Sequence, residues 1–218
     1  MAAPGSLYER LVQEIDRLRG HYPHIELPAA AKPLGEGNEH VVFFVPESNR
    51  VFKKTRGSAY GVILDDDYEI DPATQQYKGY LWFREALPSE YLSRLALTNR
   101  HFGDDVRFEG ITLTAGNNPS IVTSQTFIKG DDPTVAEAHE FMKAAGFESV
   151  LPDLIRSKTV GRNTWYRAED GLLVLDAKPA NFKKGEDGNL FPIDLPIRYL
   201  PDNQHLNLRG SLRSPPSS

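Results

Sequence analysis

Leu173-Val174-Leu175-Asp176-Ala177-Lys178-Pro179-Ala180-Asn181, followed thirteen residues after the asparagine by Asp194 in Pro192-Ile193-Asp194-Leu195-Pro196, is the stretch on which the reading of this chain turns. Both acids sit directly behind an apolar run. Runs this short, bounded by turn residues, predict strands rather than helices. Residues 162–166 and 172–175 read as short strands around Asp170-Gly171. Asn181 to Lys184 and Leu190 to Ile193 read as a hairpin across Gly185-Glu186-Asp187-Gly188. A polar residue at a strand end has a fixed backbone, while its side chain reaches out.

Upstream, Leu7, Leu11, Ile15 and Leu18 recur at helical spacing over residues 7–19. A proline-interrupted connector follows, from His21 to Lys32. Val41-Val42-Phe43-Phe44-Val45 predicts a strand, Pro46-Glu47-Ser48-Asn49 a turn, and Arg50-Val51-Phe52-Lys53-Lys54 the returning strand. Residues 57–80, rich in Asp, Gly and Tyr, read as a loop. Ser89 is placed as the cap of a helix running to about Phe102. Arg107 to Thr114 and Ser120 to Ile128 give two more strands. Thr134 and Glu137 have capping-box spacing ahead of a helix ending at Gly146. The expected class is α+β, with strands and one helix first, then a connector, then a more helical part carrying the acids. The segments are 1–33 (helix and connector), 34–130, 131–206, and a Ser/Pro tail over 207–218 expected to be disordered. A cleft between two such parts is a natural nucleotide site.

The composition narrows the function. The 218 residues carry a formal charge of −5, 39% hydrophobic and 25% charged residues, and no cysteine. The negative balance gives no general attraction for nucleic acid or an anionic membrane. Without cysteine there is no disulfide frame, thiolate nucleophile or Cys-based metal site. No signal peptide is read at the N-terminus, and no apolar run reaches the ~20 residues of a spanning helix. The expected location is cytoplasmic.

Against that background, two acids and an asparagine at strand ends are what phosphoryl transfer requires. One carboxylate takes the proton of the attacking hydroxyl, and an amide oxygen and a second carboxylate hold magnesium on nucleotide phosphates. Leu34-Gly35-Glu36-Gly37-Asn38-Glu39-His40 supplies two glycines, Gly35 and Gly37, whose amides can approach phosphate oxygens without Cβ interference. Lys53 on the returning strand offers a fixed positive charge. Strand alternation turns Lys54 to the other face, and Lys53 is preferred. Glu90 is the candidate acid to hold that lysine, with Glu85 as runner-up. In Ser124-Gln125-Thr126-Phe127-Ile128-Lys129-Gly130, the backbone of Gln125, Phe127 and Ile128 can read an adenine edge or simply link two parts of the chain.

Taken in order, these parts resemble the protein-kinase fold. The chain is most similar to the compact serine/threonine/tyrosine kinase-like domains of bacterial and phage polyvalent proteins, from about Leu34 to Leu200. The resemblance rests on Gly35 to His40, Val51 to Thr55, Glu90 to Arg94, Asn99 to Asp105, Glu109-Gly110, Gln125 to Gly130, Phe141 to Phe147, Asp176 to Asn181 and Pro192 to Leu195. It implies a two-lobed kinase-like fold, with an N-terminal antiparallel sheet plus one helix and a truncated, more helical C-terminal lobe. It further implies ATP and Mg²⁺ as cofactors, Asp176 as acid/base, and Asn181 and Asp194 as metal ligands. Lys53 would hold the α/β-phosphates and Lys178 would stand near the transferred group. His40 stands where kinases have a third glycine, Val174-Leu175 where they have His-Arg, and Pro196 where the metal-binding acid is followed by glycine. Only 24 residues follow Asp194, so a full protein-docking C-lobe is not expected. A small acceptor, another binding mode or a partner chain completing that lobe is. The expected activity is phosphoryl transfer to a hydroxyl of a protein or small molecule. The alternatives are a pseudokinase or nucleotide-binding interaction module, and a kinase-fold AMP transferase.

Overall fold

The computed structural model describes residues 6–57, 60–70, 72–73, 75, 77–114, 116–150 and 163–201. In chain order the strands are β1 (Lys32–Glu36), β2 (His40–Val45), β3 (Arg50–Thr55), β4 (Val62–Ile70), β5 (Tyr77–Glu85), β6 (Arg107–Leu113), β7 (Pro119–Thr126), β8 (Gly130–Asp131), β9 (Glu148–Ser149), β10 (Trp165–Arg167), β11 (Leu172–Val174), β12 (Phe182–Gly185), β13 (Leu190–Pro192) and β14 (Ile197–Tyr199). The α-helices are α1 (Leu7–His21), α2 (Pro88–Phe102) and α3 (Val135–Ala144). The chain divides into two compact units, one of Met1–Ile63 with Glu85–Phe127, the other of Leu64–Arg84 with Ile128–Ser218. The expected disordered tail over 207–218 lies outside the described residues.

The first unit is an antiparallel sheet in the order β1-β2-β3-β7-β6. Its two faces follow from strand alternation. On one, Val45, Phe52 and Val122 are covered by Ile25, Leu27 and Ala31 of the connector. On the other, Ile111 and Ile121 pack with Leu18 of α1, Tyr91 of α2 and Tyr60. The connector is tied to β6 by main-chain bonds from Ile25 N–H to the Ile111 carbonyl (2.9 Å) and from Ile111 N–H to the Pro23 carbonyl (3.0 Å). A Cβ at Gly110 would stand 2.6 Å from the Pro23 oxygen, so this approach requires glycine.

Helix α1 keeps the expected bounds to within two residues and gains a capping box between Ser6 and Glu9. Helix α2 starts differently from the expectation. Leu87 is the N-cap and Pro88 the first helical residue, and the Leu87 N–H is taken by the Glu90 carboxylate at 2.8 Å. Proline is suited to this position because its missing N–H is one of the helix's unpaired donors. Ser89 lies inside the first turn, and both its N–H and hydroxyl donate to Glu14 of α1 at 2.9 Å.

The second unit contains a four-stranded sheet ordered β14-β11-β10-β9 and a three-stranded one ordered β13-β12-β8. Val150, Tyr166, Leu173, Leu175 and Leu200 form its core, with Phe83 packed against them. Thr134 and Glu137 make the expected capping box of α3, and Phe141 of α3 meets Phe182 of β12 edge-on at 5.6 Å.

Two expectations are corrected. Residues 57–80 are not a loop: β4 and β5 pair as a two-stranded ribbon through most of that stretch. A loop-like composition hid this pairing. Among the described residues, the part after residue 131 is also not the more helical one. Among its described residues α3 is the one α-helix, and the rest of its regular structure is mainly short strands. Apolar triplets such as Leu172–Val174 are too short for a helix turn to bury, and they pair across long sequence separations instead.

Candidate active site

Strand β11 sets the first half of the site. Leu172, Leu173 and Val174 are fully buried and Leu175 nearly so, which holds the backbone up to Asp176 in place. The pairing of β11 with β14 carries on past the last strand residue, with Leu175 N–H donating to the Pro196 carbonyl at 2.8 Å. Asp176 then takes a left-handed backbone with φ of 50°. That region is strained for a side-chain-bearing residue, and aspartate tolerates it better than most.

The strained turn is held from several directions. The Asp176 carbonyl accepts from Lys178 N–H at 2.7 Å and from Asn181 Nδ2 at 2.7 Å. Ala177 N–H donates to the Asn163 carbonyl, and Asn181 N–H to the Lys178 carbonyl, both at 2.9 Å. The Asp176 carboxylate, about one-third exposed, receives Lys178 Nζ at 2.7 Å and Asn181 Nδ2 at 3.2 Å through Oδ2. A short 3₁₀ turn over Pro179–Asn181 delivers the chain into β12.

The hairpin β12–β13 brings the second acid back. Phe182 pairs with Pro192, and one step further Ile193 N–H donates to the Asn181 carbonyl at 2.9 Å. Asp194 therefore stands between two main-chain clamps, Ile193 on Asn181 and Pro196 on Leu175. The thirteen-residue spacing noted in the sequence is the length of this hairpin. Asp176, Lys178, Asn181 and Asp194 are thus brought together within one unit.

The remaining candidates lie in the first unit. Gly35 is in β1 and Gly37 begins the turn to β2, where its N–H donates to the His40 carbonyl at 2.8 Å. A Cβ at either glycine would meet nothing within 4 Å, and neither has positive φ. At the foot of this hairpin Arg94 of α2 grips Glu39 with both guanidinium nitrogens, at 3.1 and 2.7 Å, and stacks 4.9 Å from the Tyr91 ring. Lys53 sits between Val42 and Thr123 in the sheet register, while Lys54 pairs with Val41 and Val122 on the opposite face. The Glu90 carboxylate accepts the Leu87 N–H at the start of α2. In the connector, Gln125 is buried. Phe127 N–H is already donated to the Asn49 carbonyl at 3.0 Å, and the Phe127 ring rests on Phe44 at 4.6 Å. Ile128 opens the second unit.

Sequence reasoning missed three charged residues here. Asp104, after the αL glycine Gly103 that ends α2, has a buried Oδ2 with no hydrogen-bond partner. Burial raises its pKa, against the opposing pull of the Asp105 amide and of Lys53 and Arg50. Asp105 and buried Arg50 form a second cluster at the end of β7. The signal was present as Asp104-Asp105 behind a glycine that ends a helix, but paired acids at a loop are common on solvated surfaces.

The donor set fits a hard divalent ion and a nucleotide. The amide oxygen of Asn181, whose Nδ2 is held by Asp176, and the Asp194 carboxylate are oxygen donors of the class magnesium prefers. The two glycines are demanded neither by packing nor by backbone angle, and the space beside each is open.

A family model described as serine/threonine/tyrosine kinase found in polyvalent proteins matches residues 83–200, just over half of the chain. The match takes in Glu85, Glu90, the connector and the whole of the Asp176–Asp194 constellation, and it begins after Gly35, Gly37 and Lys53. No curated protein and no solved structure matches the chain.

Proposed function

Because this chain belongs to the family of serine/threonine/tyrosine kinases found in polyvalent proteins, we propose that it is an ATP- and Mg²⁺-dependent phosphotransferase that moves the γ-phosphate to a hydroxyl acceptor. The observation that carries this reading is the Asp176 turn: a left-handed aspartate with its carboxylate bridged to Lys178 and Asn181, next to a hairpin that returns Asp194. Bound nucleotide and magnesium supply the transferable group and the neutralisation of its charge.

Asp176 orients the acceptor hydroxyl and takes its proton as the new oxygen–phosphorus bond forms and the bond to the ADP oxygen breaks. Lys178, 2.7 Å from that carboxylate, places a positive charge beside the group in transit. Asn181 and Asp194 contribute the oxygen ligands of the metal. On the same reading Gly35, Gly37 and Lys53 attend the nucleotide phosphates, and the connector attends the base. Positioning and fixed charge provide most of the rate enhancement in this chemistry, which suits a turn preorganised by main-chain bonds.

The test is incubation with γ-labelled ATP and Mg²⁺, alone and with generic protein acceptors, beside Asp176→Asn. Label transferred by wild type, with the variant's rate lower by ~10²-fold or more, is the expected result. Nucleotide binding without turnover in either protein would instead make the chain a binding module, and a product heavier by an AMP group would make it a nucleotidyl transferase.

A further inference from the structure

We propose that Asp105, fixed by Arg50, is a positioning residue that sets the connector backbone for the base of the bound nucleotide. This rests on the phosphotransferase reading above. The geometry begins with the sheet register. Arg107, the first residue of β6, pairs with Ser124 of β7. Continued by two residues, that register puts Asp105 opposite Thr126. There the main-chain ladder stops, and the Asp105 side chain replaces it. Its Oδ1 accepts Thr126 N–H at 2.8 Å, and its Oδ2 accepts the Thr126 hydroxyl at 3.0 Å.

An uncharged main chain could close a sheet there at lower cost, because burying an arginine is expensive unless every donor is met. Arg50 is buried and four of its five donors are met. Nε donates to Ser124 Oγ at 2.8 Å, Nη1 to Asp105 Oδ2, and Nη2 to the carbonyls of Asp105 (3.0 Å) and Ser124 (2.9 Å). Ser124 Oγ in turn donates to Glu109. Burial pushes the Asp105 carboxyl up, but the Thr126 amide and Arg50 outweigh it and hold the group below the usual carboxylate range. It stays charged at neutral pH.

The product of this investment is a fixed exit from β7. Ser124 and Thr126 are held by the Arg50–Asp105 pair. Phe127 is held next by its N–H on Asn49 and its ring on Phe44. With Phe127 N–H committed, base recognition depends on how the chain leaves Thr126, and Asp105 decides that angle. The Asp104 carboxylate next to it lies close enough to Lys53 to feel its charge.

Dissociation constants of Mg·ATP and Mg·GTP would be measured for wild type, Asp105→Asn and Thr126→Val, with thermal unfolding recorded for each. Asp105→Asn is expected to weaken ATP about tenfold, as loss of one charge-assisted bond allows, and GTP by less, so that base selectivity narrows. Thr126→Val removes one bond to Asp105 and leaves Arg50 paired. It should shift selectivity in the same direction by a smaller factor at near wild-type melting temperature. Should Asp105→Asn fail to fold, Thr126→Val decides alone. Equal weakening of both nucleotides, or unchanged selectivity in folded variants, would show that the corner only closes the sheet. A wild type that binds neither nucleotide would overturn the phosphotransferase reading and this inference with it.

Discussion

The glycine hairpin over Gly35 and Gly37 and the turn over Asp176–Asn181, both assigned to phosphate in the proposed function, are built in opposite ways. Strand β1 is exposed at every residue, and space beside both glycines is open. The Asp176 turn follows a strand with no exposed residue and is pinned by main-chain and side-chain bonds around a left-handed aspartate. The hairpin offers open space beside its two glycines, with the Gly37 N–H already given to the His40 carbonyl. The turn offers side chains whose positions are decided before any ligand arrives. Charge that develops during a reaction is best met by groups that need no reorganisation, so strain belongs at the turn and freedom at the hairpin.

The largest expected effect would separate the chemistry of Asp176 from its backbone. Asp176→Asn and Asp176→Val should both abolish most transfer. Asparagine accepts the left-handed region, whereas a β-branched residue there costs about 1–2 kcal/mol. Urea unfolding should therefore show Asp176→Val less stable than Asp176→Asn by about that amount. Equal stabilities would mean that the turn stores no backbone strain, and the contrast with the hairpin would lose its basis.

Gly35→Ala and Gly37→Ala give the complementary result. Nothing blocks a Cβ at either site, so stability should stay within about 0.5 kcal/mol of wild type, or rise slightly as the unfolded chain loses freedom. Nucleotide affinity should fall several-fold, because the added methyl groups stand where phosphate is expected to approach. Stability loss above about 1 kcal/mol would show a structural need for these glycines, and unchanged affinity would remove the hairpin from the nucleotide site.

How legible this was in the sequence follows the same divide. The strands around Pro46–Asn49, the hairpin between Asn181 and Asp194 and the capping box of α3 were readable because each is decided by near neighbours: turn residues, alternation or a four-residue cap. The grouping of Asp176, Lys178 and Asn181 was readable for the same reason. What escaped depends on distant partners. The β4–β5 ribbon looked like a loop because its composition, not its pairing, was visible. Strands β9 and β14, two and three residues long, carry too little period to be read. Leu87 gave no cap signal of its own, although Pro88 and Glu90 together marked the start of α2. The Arg50–Asp105 corner joins residues 55 positions apart, and no local pattern announces it.

The smallest expected effect tests how firmly the rigid side is anchored outside the turn itself. Glu137 closes the cap of α3 and also accepts from Lys184 of β12, the strand that leads away from Asn181. Lys184 is the first cause, and the Thr134 amide and hydroxyl the next, of a carboxyl pKa lowered to about 2 from an ordinary 4.5. Since the folded value is the lower one, this contribution is fully present above the ordinary carboxylate pKa. It is lost progressively as pH falls from about 4.5 through 2. Both groups face water, so the contribution is small and screened by salt. A pH series of unfolding midpoints should show wild type losing stability across that window faster than Glu137→Gln, with the difference shrinking in high salt. Parallel curves would mean that the bond between α3 and β12 does not couple to folding, and that the turn owes its rigidity to β11 and its own hydrogen bonds.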